Sequence, residues 1–166
     1  MAVITGNTLD FFSHSPQQTR RIGQRLSRLL RPGDVVLLSG PLGSGKTHLA
    51  QGIGAGLGIE TPIRSPTFTL INEYHEGCIP LYHVDLYRLH GDAEVATIGL
   101  EEPFEADDGV IVVEWPEHAP GWMPLEALFV TMRHVDVTKR GIAISASGER
   151  YERLLLDFKR SAFGGR

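Results

Sequence analysis

The sequence predicts an α/β fold: a three-layer domain of the P-loop NTPase type, with a mostly parallel sheet and antiparallel additions. Three observations predict it. The apolar run DVVLLSG (34–40) leads straight into the glycine-rich GPLGSGKT (40–47), which opens a helix. A second apolar run, GVIVVEW (109–115), is nearly continuous, as in strands buried on both faces. The segment ALFVTMRHVDVTKRGIAISASG (127–148) reads as a closing antiparallel hairpin. The 166 residues form one domain, 1–166, with 161–166 expected as a loose tail.

Each element has a local reason. In SPQQTRRIGQRLSRLLRPG (15–33), Ser15 caps a helix, Pro16 takes its first position and Gln18 completes a capping box. Ile22, Leu26, Leu29 and Leu30 share one face, and Pro32-Gly33 stops the helix. Arg20, Arg21, Arg25 and Arg28 make the other side basic, either a solvated face or a dock for RNA or an acidic partner. The helix after the glycine loop runs from about Lys46 to Leu57, with Gly58 just beyond its end. TFTLINEYHEGCIPLYHVDLY (67–87) predicts two strands around the turn His75-Glu76-Gly77. GDAEVATIGLEEPFEA (91–106) predicts one or two short helices, and ERYERLLLDFKR (149–160) a terminal amphipathic helix.

Composition excludes several classes. The net charge of −4 gives no whole-molecule attraction for nucleic acid, so any RNA contact needs a local patch or a partner. A single cysteine, Cys78, rules out an internal disulfide framework and suits a reducing cytosol. No apolar run approaches the ~20 residues that span a bilayer. The opening MAVITGNTLDFF lacks the basic-then-apolar pattern of a secretory signal. A cytoplasmic protein with no membrane partner is expected.

The chemistry concentrates at the glycine loop. Gly40, Gly45, Lys46 and Thr47 satisfy G-x-x-x-x-G-K-S/T in full, between a strand and a helix. Glycines let successive N–H groups turn inward as an anion nest, and the helix dipole adds to the field. Gly40, Pro41, Leu42, Gly43, Ser44, Gly45, Lys46, Thr47 and His48 are therefore the expected phosphate-binding segment for a nucleoside triphosphate. Lys46 reaches the outer phosphates, and the Thr47 hydroxyl ligates Mg²⁺.

Such a loop needs carboxylates. In PLYHVDLYR (80–88), alternation puts His83 and Asp85 on one strand face. In VIVVEW (110–115), Glu114 is the first polar residue after four apolar ones and emerges at the carboxyl edge, where open α/β sheets bind ligands. One acid holds Mg²⁺ and the other orients an attacking water; which does which stays open. Read alone, each acid is equally a surface strand-end residue, and His83 a hydrogen-bonded structural histidine. After Ser65-Pro66, Thr67 either senses the terminal phosphate or simply makes an ST-turn. Around the adenine the sequence is less telling; Ser15 and the loop at Lys139-Arg140, with Arg140, are the candidates.

GPLGSGKT, SPTFTLINEY, HVDLYRL and VVEWPE, in this order from roughly Ser15 to Gly148, resemble the bacterial TsaE (YjeE) family. That resemblance implies a small Mg-dependent ATPase of tRNA threonylcarbamoyladenosine synthesis. Its partners would be TsaB and TsaD, with tRNA met indirectly through their complex. TsaD would modify N6 of adenosine 37 in tRNAs reading codons that begin with A, and ATP hydrolysis here would keep that complex cycling. By position, Thr47 and Glu114 look like the magnesium-side residues, Asp85 like the essential acid near the terminal phosphate, and Trp115 like the tryptophan after the acid. Catalysis would then rest on Asp85, Glu114 and Lys46, and the metal on Thr47, Glu114 and Asp85. Two departures are visible: Pro41 stands where the family more usually has aspartate, and Ser44 where alanine is common.

Rival functions want features of their own. A small-molecule P-loop kinase needs an acceptor pocket and usually an arginine-bearing lid, but Arg64, Arg88, Arg133, Arg140 and Arg150 are scattered. A GTPase needs the guanine-reading N-K-x-D, which is absent. A module that only binds nucleotide leaves Asp85 and Glu114 without a task.

Overall fold

The computed structural model describes residues 2–164. Among these the elements run β1 (Val3–Thr5), β2 (Thr8–Ser13), α1 (Pro16–Ser27), β3 (Val35–Ser39), α2 (Lys46–Gly56), β4 (Ile71–Tyr74), β5 (Leu81–Asp85), α3 (Asp92–Val95), α4 (Glu101–Ala106), β6 (Val110–Glu114), β7 (Ala127–His134), β8 (Arg140–Ser147) and α5 (Glu149–Phe163), with short 3₁₀ turns at Pro116–His118 and Pro120–Trp122. The described strands form one eight-stranded sheet in the order β1-β2-β8-β7-β3-β6-β5-β4.

The parallel part is narrower than the sequence suggests. The β7–β3, β3–β6 and β6–β5 ladders are parallel, while β1–β2, β2–β8, β8–β7 and β5–β4 are antiparallel. The parallel centre has helices on both faces, which is why β5 and β6 are buried throughout. One face carries Val36, Leu38, Leu81 and Val112 against Leu26 of α1, Leu49 and Ile53 of α2, and Phe158 of α5. The other carries Leu37, Val84, Ile111 and Val113 against Val95 and Leu100 beside α3 and α4. Each such side chain, fully buried, contributes roughly 1.5–3 kcal/mol. The layers are helix, sheet, helix.

Helix starts follow the local chemistry. Ser15 Oγ accepts from Gln18 N–H at 3.1 Å, but the Gln18 side chain accepts from His14 N–H at 2.6 Å, one residue before the expected partner. α1 ends at Ser27, ahead of Pro32-Gly33, because its last turn tightens into Leu29 and Leu30 N–H bonds to Leu26 and Ser27 carbonyls. Its basic side is partly used: Arg20 donates to Gln51 of α2 and Arg25 to the Ser161 carbonyl of α5.

Three expectations change. Val3–Thr5 and Thr8–Ser13 form a hairpin that docks on β8, where no strand was expected. The strand expected from Thr67 begins only at Ile71. Pro66 to Leu70 instead close a turn, Leu70 N–H donating to Pro66 O at 2.6 Å with Leu70 at φ 69°. The 91–106 segment makes two helices, as the expectation of one or two allowed. Finally, α5 continues through Phe163, whose ring packs on Phe11 at 4.8 Å, so the expected tail is helical that far; Gly165 and Arg166 lie outside the described residues. No described helix is long and apolar enough to cross a membrane.

Candidate nucleotide site

The four parallel strands end at one edge, and every chemical motif sits there: Ser39 before the glycine loop, Asp85 ending β5, Glu114 ending β6 and His134 ending β7. The loop is shaped by glycine. Gly40 has φ 151° with its Cα against the Met132 carbonyl, so any side chain there would collide with backbone. Gly45 has φ 102° and is the residue that turns the chain into α2. Residues of β7 and β8 brace the loop from outside: His134 Nε2 lies 3.2 Å from Leu42 O, and Arg140 donates to Gly43 O at 3.2 Å.

A cavity of about 300 Å³ opens over this edge, lined by the loop from Leu42 to His48 and by Ser65, Thr67, Asp85, Tyr87, Glu114 and Trp115. The two acids are no surface residues: Asp85 is 4% exposed and Glu114 3%. Asp85 pairs in register with Glu114 across β5 and β6. Its carboxylate accepts from Ser65 Oγ and Thr67 Oγ1, both at 3.2 Å, and from Tyr87 N–H at 2.8 Å. Glu114 meets His83 Nε2 at 2.6 Å, while Thr47 Oγ1 stands 3.4 and 3.5 Å from its two oxygens.

Lys46 is folded back on its own loop. Its ammonium donates to Gly40 O and to Pro41 O, and lies 4.3 Å from the centre of the Trp115 ring. Burial pushes its pKa below the ordinary lysine range, opposed by the negative charges of Glu114, Glu117 and Asp85. Trp115 holds φ 60°, a left-handed conformation that turns the chain sharply after β6. The pKa of His48 is lowered, chiefly by burial and then by Arg20 and Arg140.

Most of the expected residues come together. Leu42 to His48, Thr67, Asp85, Glu114 and Trp115 line one cavity, whereas Gly40 and Pro41 sit beneath it, offering carbonyls to Lys46. Ser15 and Arg140 fall in an adjoining pocket of about 60 Å³, with His48 and Gly45 shared between the two. The Arg140 guanidinium also donates to the carbonyls of Asp136, Val137 and Lys139, so much of its capacity is spent locally. Sequence reasoning passed over Ser65 and Tyr87, which bond Asp85, and the contact of His83 with Glu114. For Ser65 and Tyr87 the signal is spacing, two residues before Thr67 and two after Asp85; the contact of His83 with Glu114 has no local signal, since it needs β5 beside β6 in register.

The donor set fits a magnesium nucleotide better than a resident ion. Thr47 and Glu114 offer hard oxygen ligands side by side, and among the described residues no three His, Cys, Asp or Glu cluster as metal ligands. Mg²⁺ is typically held this way, by one or two protein oxygens with phosphates and waters supplying the rest.

The family described as "Threonylcarbamoyl adenosine biosynthesis protein TsaE" matches residues 13–142. A Bacillus subtilis (strain 168) protein named tRNA threonylcarbamoyladenosine biosynthesis protein TsaE is 39% identical over 146 residues, 88% of this chain and 90% of its own length. A Synechocystis protein of the same name is 48% identical over 117 residues, 69% of this chain and 74% of its own. The crystal structure of B. subtilis YdiB superposes with a TM-score of 0.81 at 34% identity, covering 97% of both chains. With the family's match spanning all four motifs at the carboxyl edge, and relatives this similar over most of their length, the chain belongs to the TsaE family of tRNA threonylcarbamoyladenosine biosynthesis proteins.

Proposed function

We propose that this protein is a P-loop ATPase that binds ATP with Mg²⁺ at the glycine loop. Its hydrolysis of ATP supports formation of the threonylcarbamoyl group on N6 of adenosine 37 by a TsaB–TsaD complex. One observation carries the reading: two buried carboxylates from adjacent strands, Asp85 and Glu114, converge on the cavity that holds Lys46 and Thr47.

The residues divide the work. Loop N–H groups bind the phosphates, and Lys46 exchanges the Gly40 and Pro41 carbonyls for phosphate oxygens. Thr47 and Glu114 form the metal side; bound Mg²⁺ supplies neutralisation of charge developing on the phosphates. Asp85 is tied by Ser65, Thr67 and Tyr87, which fixes a carboxylate where it can orient water. Trp115 closes the side of the cavity beside Lys46. The adjoining pocket with Ser15, His48 and Arg140 is the place for the adenine.

The test is ATPase activity of the purified protein alone and with TsaB, TsaD and tRNA. Slow hydrolysis alone and a clear rise with the full set is the expected result. Hydrolysis that ignores TsaB, TsaD and tRNA removes the coupling. No hydrolysis under any condition removes the ATPase.

A further inference from the structure

His83 has no place in the division of labour above, yet it makes one of the closest polar contacts in the core. Its side chain is 0% exposed and that of Glu114 is 4%, with Nε2 at 2.6 Å from Oε2. The other ring nitrogen, Nδ1, is buried with no hydrogen-bond partner. These facts fix the arrangement. A proton on Nδ1 would leave a buried donor unsatisfied, which costs more than an idle lone pair. Nε2 therefore carries an N–H, which it donates to Glu114.

Stability alone does not explain such a pair. An apolar side chain of similar volume at this fully buried strand position, in register with Val112, would orphan no nitrogen. What the histidine supplies is orientation. It approaches along the strand from the layer below, since His83 pairs with Val112 and Asp85 with Glu114. By engaging Oε2 from that side, it stops the carboxylate rotating and turns the other lone pairs toward Thr47.

We propose that His83 is a positioning residue. By donating Nε2–H to Glu114 it presents that carboxylate to the metal beside Thr47. The inference rests on the magnesium-nucleotide reading of the site, and it concerns metal binding, not the partners. Histidines that ligate metals are commonly oriented by carboxylates; here the roles are exchanged, and the same size of effect is expected.

The experiment compares wild type, His83→Leu and His83→Gln by calorimetric titration of ATP across a Mg²⁺ series and in EDTA, with thermal melting as the check on folding. His83→Leu is expected to bind ATP in EDTA as the wild type does, because loop amides and Lys46 are untouched. The Mg²⁺ concentration giving half of the metal-dependent gain should rise about tenfold or more. His83→Gln, whose amide nitrogen reaches near the place of Nε2, should recover most of that loss. A folded His83→Leu with the wild-type Mg²⁺ response overturns the proposal. So does equal impairment of both variants, which would assign the effect to ring packing. Should His83→Leu not fold, His83→Asn, too short to reach Oε2, must show the same raised Mg²⁺ requirement or the proposal fails. A wild-type protein whose ATP binding ignores Mg²⁺ removes the metal reading itself, and the inference with it.

Discussion

Asp85 and Glu114 are register partners at the ends of two adjacent parallel strands, equally buried, yet held by different kinds of group. Asp85 is gripped by loop donors from Ser65, Thr67 and Tyr87, whereas Glu114 is gripped from within the sheet by His83. One acid is thus held by the loops, and the other by the core.

Neutral isosteres should separate hydrolysis from binding. Asp85→Asn and Glu114→Gln leave loop amides and Lys46 in place but weaken groups that act mainly in the transition state. Partner-stimulated ATPase is expected to fall about a hundredfold or more, with ATP affinity changing far less. Multiple-turnover tRNA modification should fail in the same samples while a first round persists. Wild-type hydrolysis by either variant refutes its catalytic role.

On the proposed reading, Lys46→Ala removes a charge-assisted contact to phosphate, and such contacts contribute ~1.5–3 kcal/mol. A loss of ATP affinity of about tenfold or more follows, with an unchanged circular dichroism spectrum. Matching titration curves for variant and wild type would sink the phosphate assignment.

ATP should be preferred to GTP, because no guanine-reading N-K-x-D exists in the chain. Competition binding checks this; GTP displacing ATP at equal concentration contradicts it.

Away from the site, Val35 N–H donates to the Tyr151 hydroxyl at 2.9 Å, tying β3 to α5 at the opposite edge of the sheet. Burial above all raises the pKa of this phenol, so it stays protonated at neutral pH. Tyr151→Phe orphans a buried donor and should cost about 1–3 kcal/mol in urea unfolding. ATP affinity should not move. Unchanged stability would mean the donor finds another partner.

The site was legible where chemistry imposes sequence. The glycine turn from Gly40 to Thr47 could be read from its spacing, Glu114 because it ends an apolar run, and Asp85 because alternation puts it with His83 on one strand face. What stayed hidden depends on register. Nothing local says that His83 reaches Glu114, since the contact needs β5 beside β6 in one alignment. The same holds for β1 and β2: VITGNTLDFF has alternation and a Gly6-Asn7 turn, but its docking place is β8. The extent of parallel pairing was overestimated because strands look alike whichever way their neighbours run. The helical Ser161–Phe163 was missed because packing on Phe11, not propensity, holds it.

The bracing of the glycine loop from β7 and β8 has a temporal side. Met132, His134 and Arg140 press on Gly40, Leu42 and Gly43 from positions roughly ninety residues later in the chain. A growing polypeptide therefore has its glycine loop long before it has the walls that shape it. Local helices such as α1 and α2 can form early, but the loop must wait for contacts of large sequence separation, the slowest to close. During synthesis this edge of the sheet matures near the end, so chains halted before Arg140 carry the full motif without the contacts that shape it.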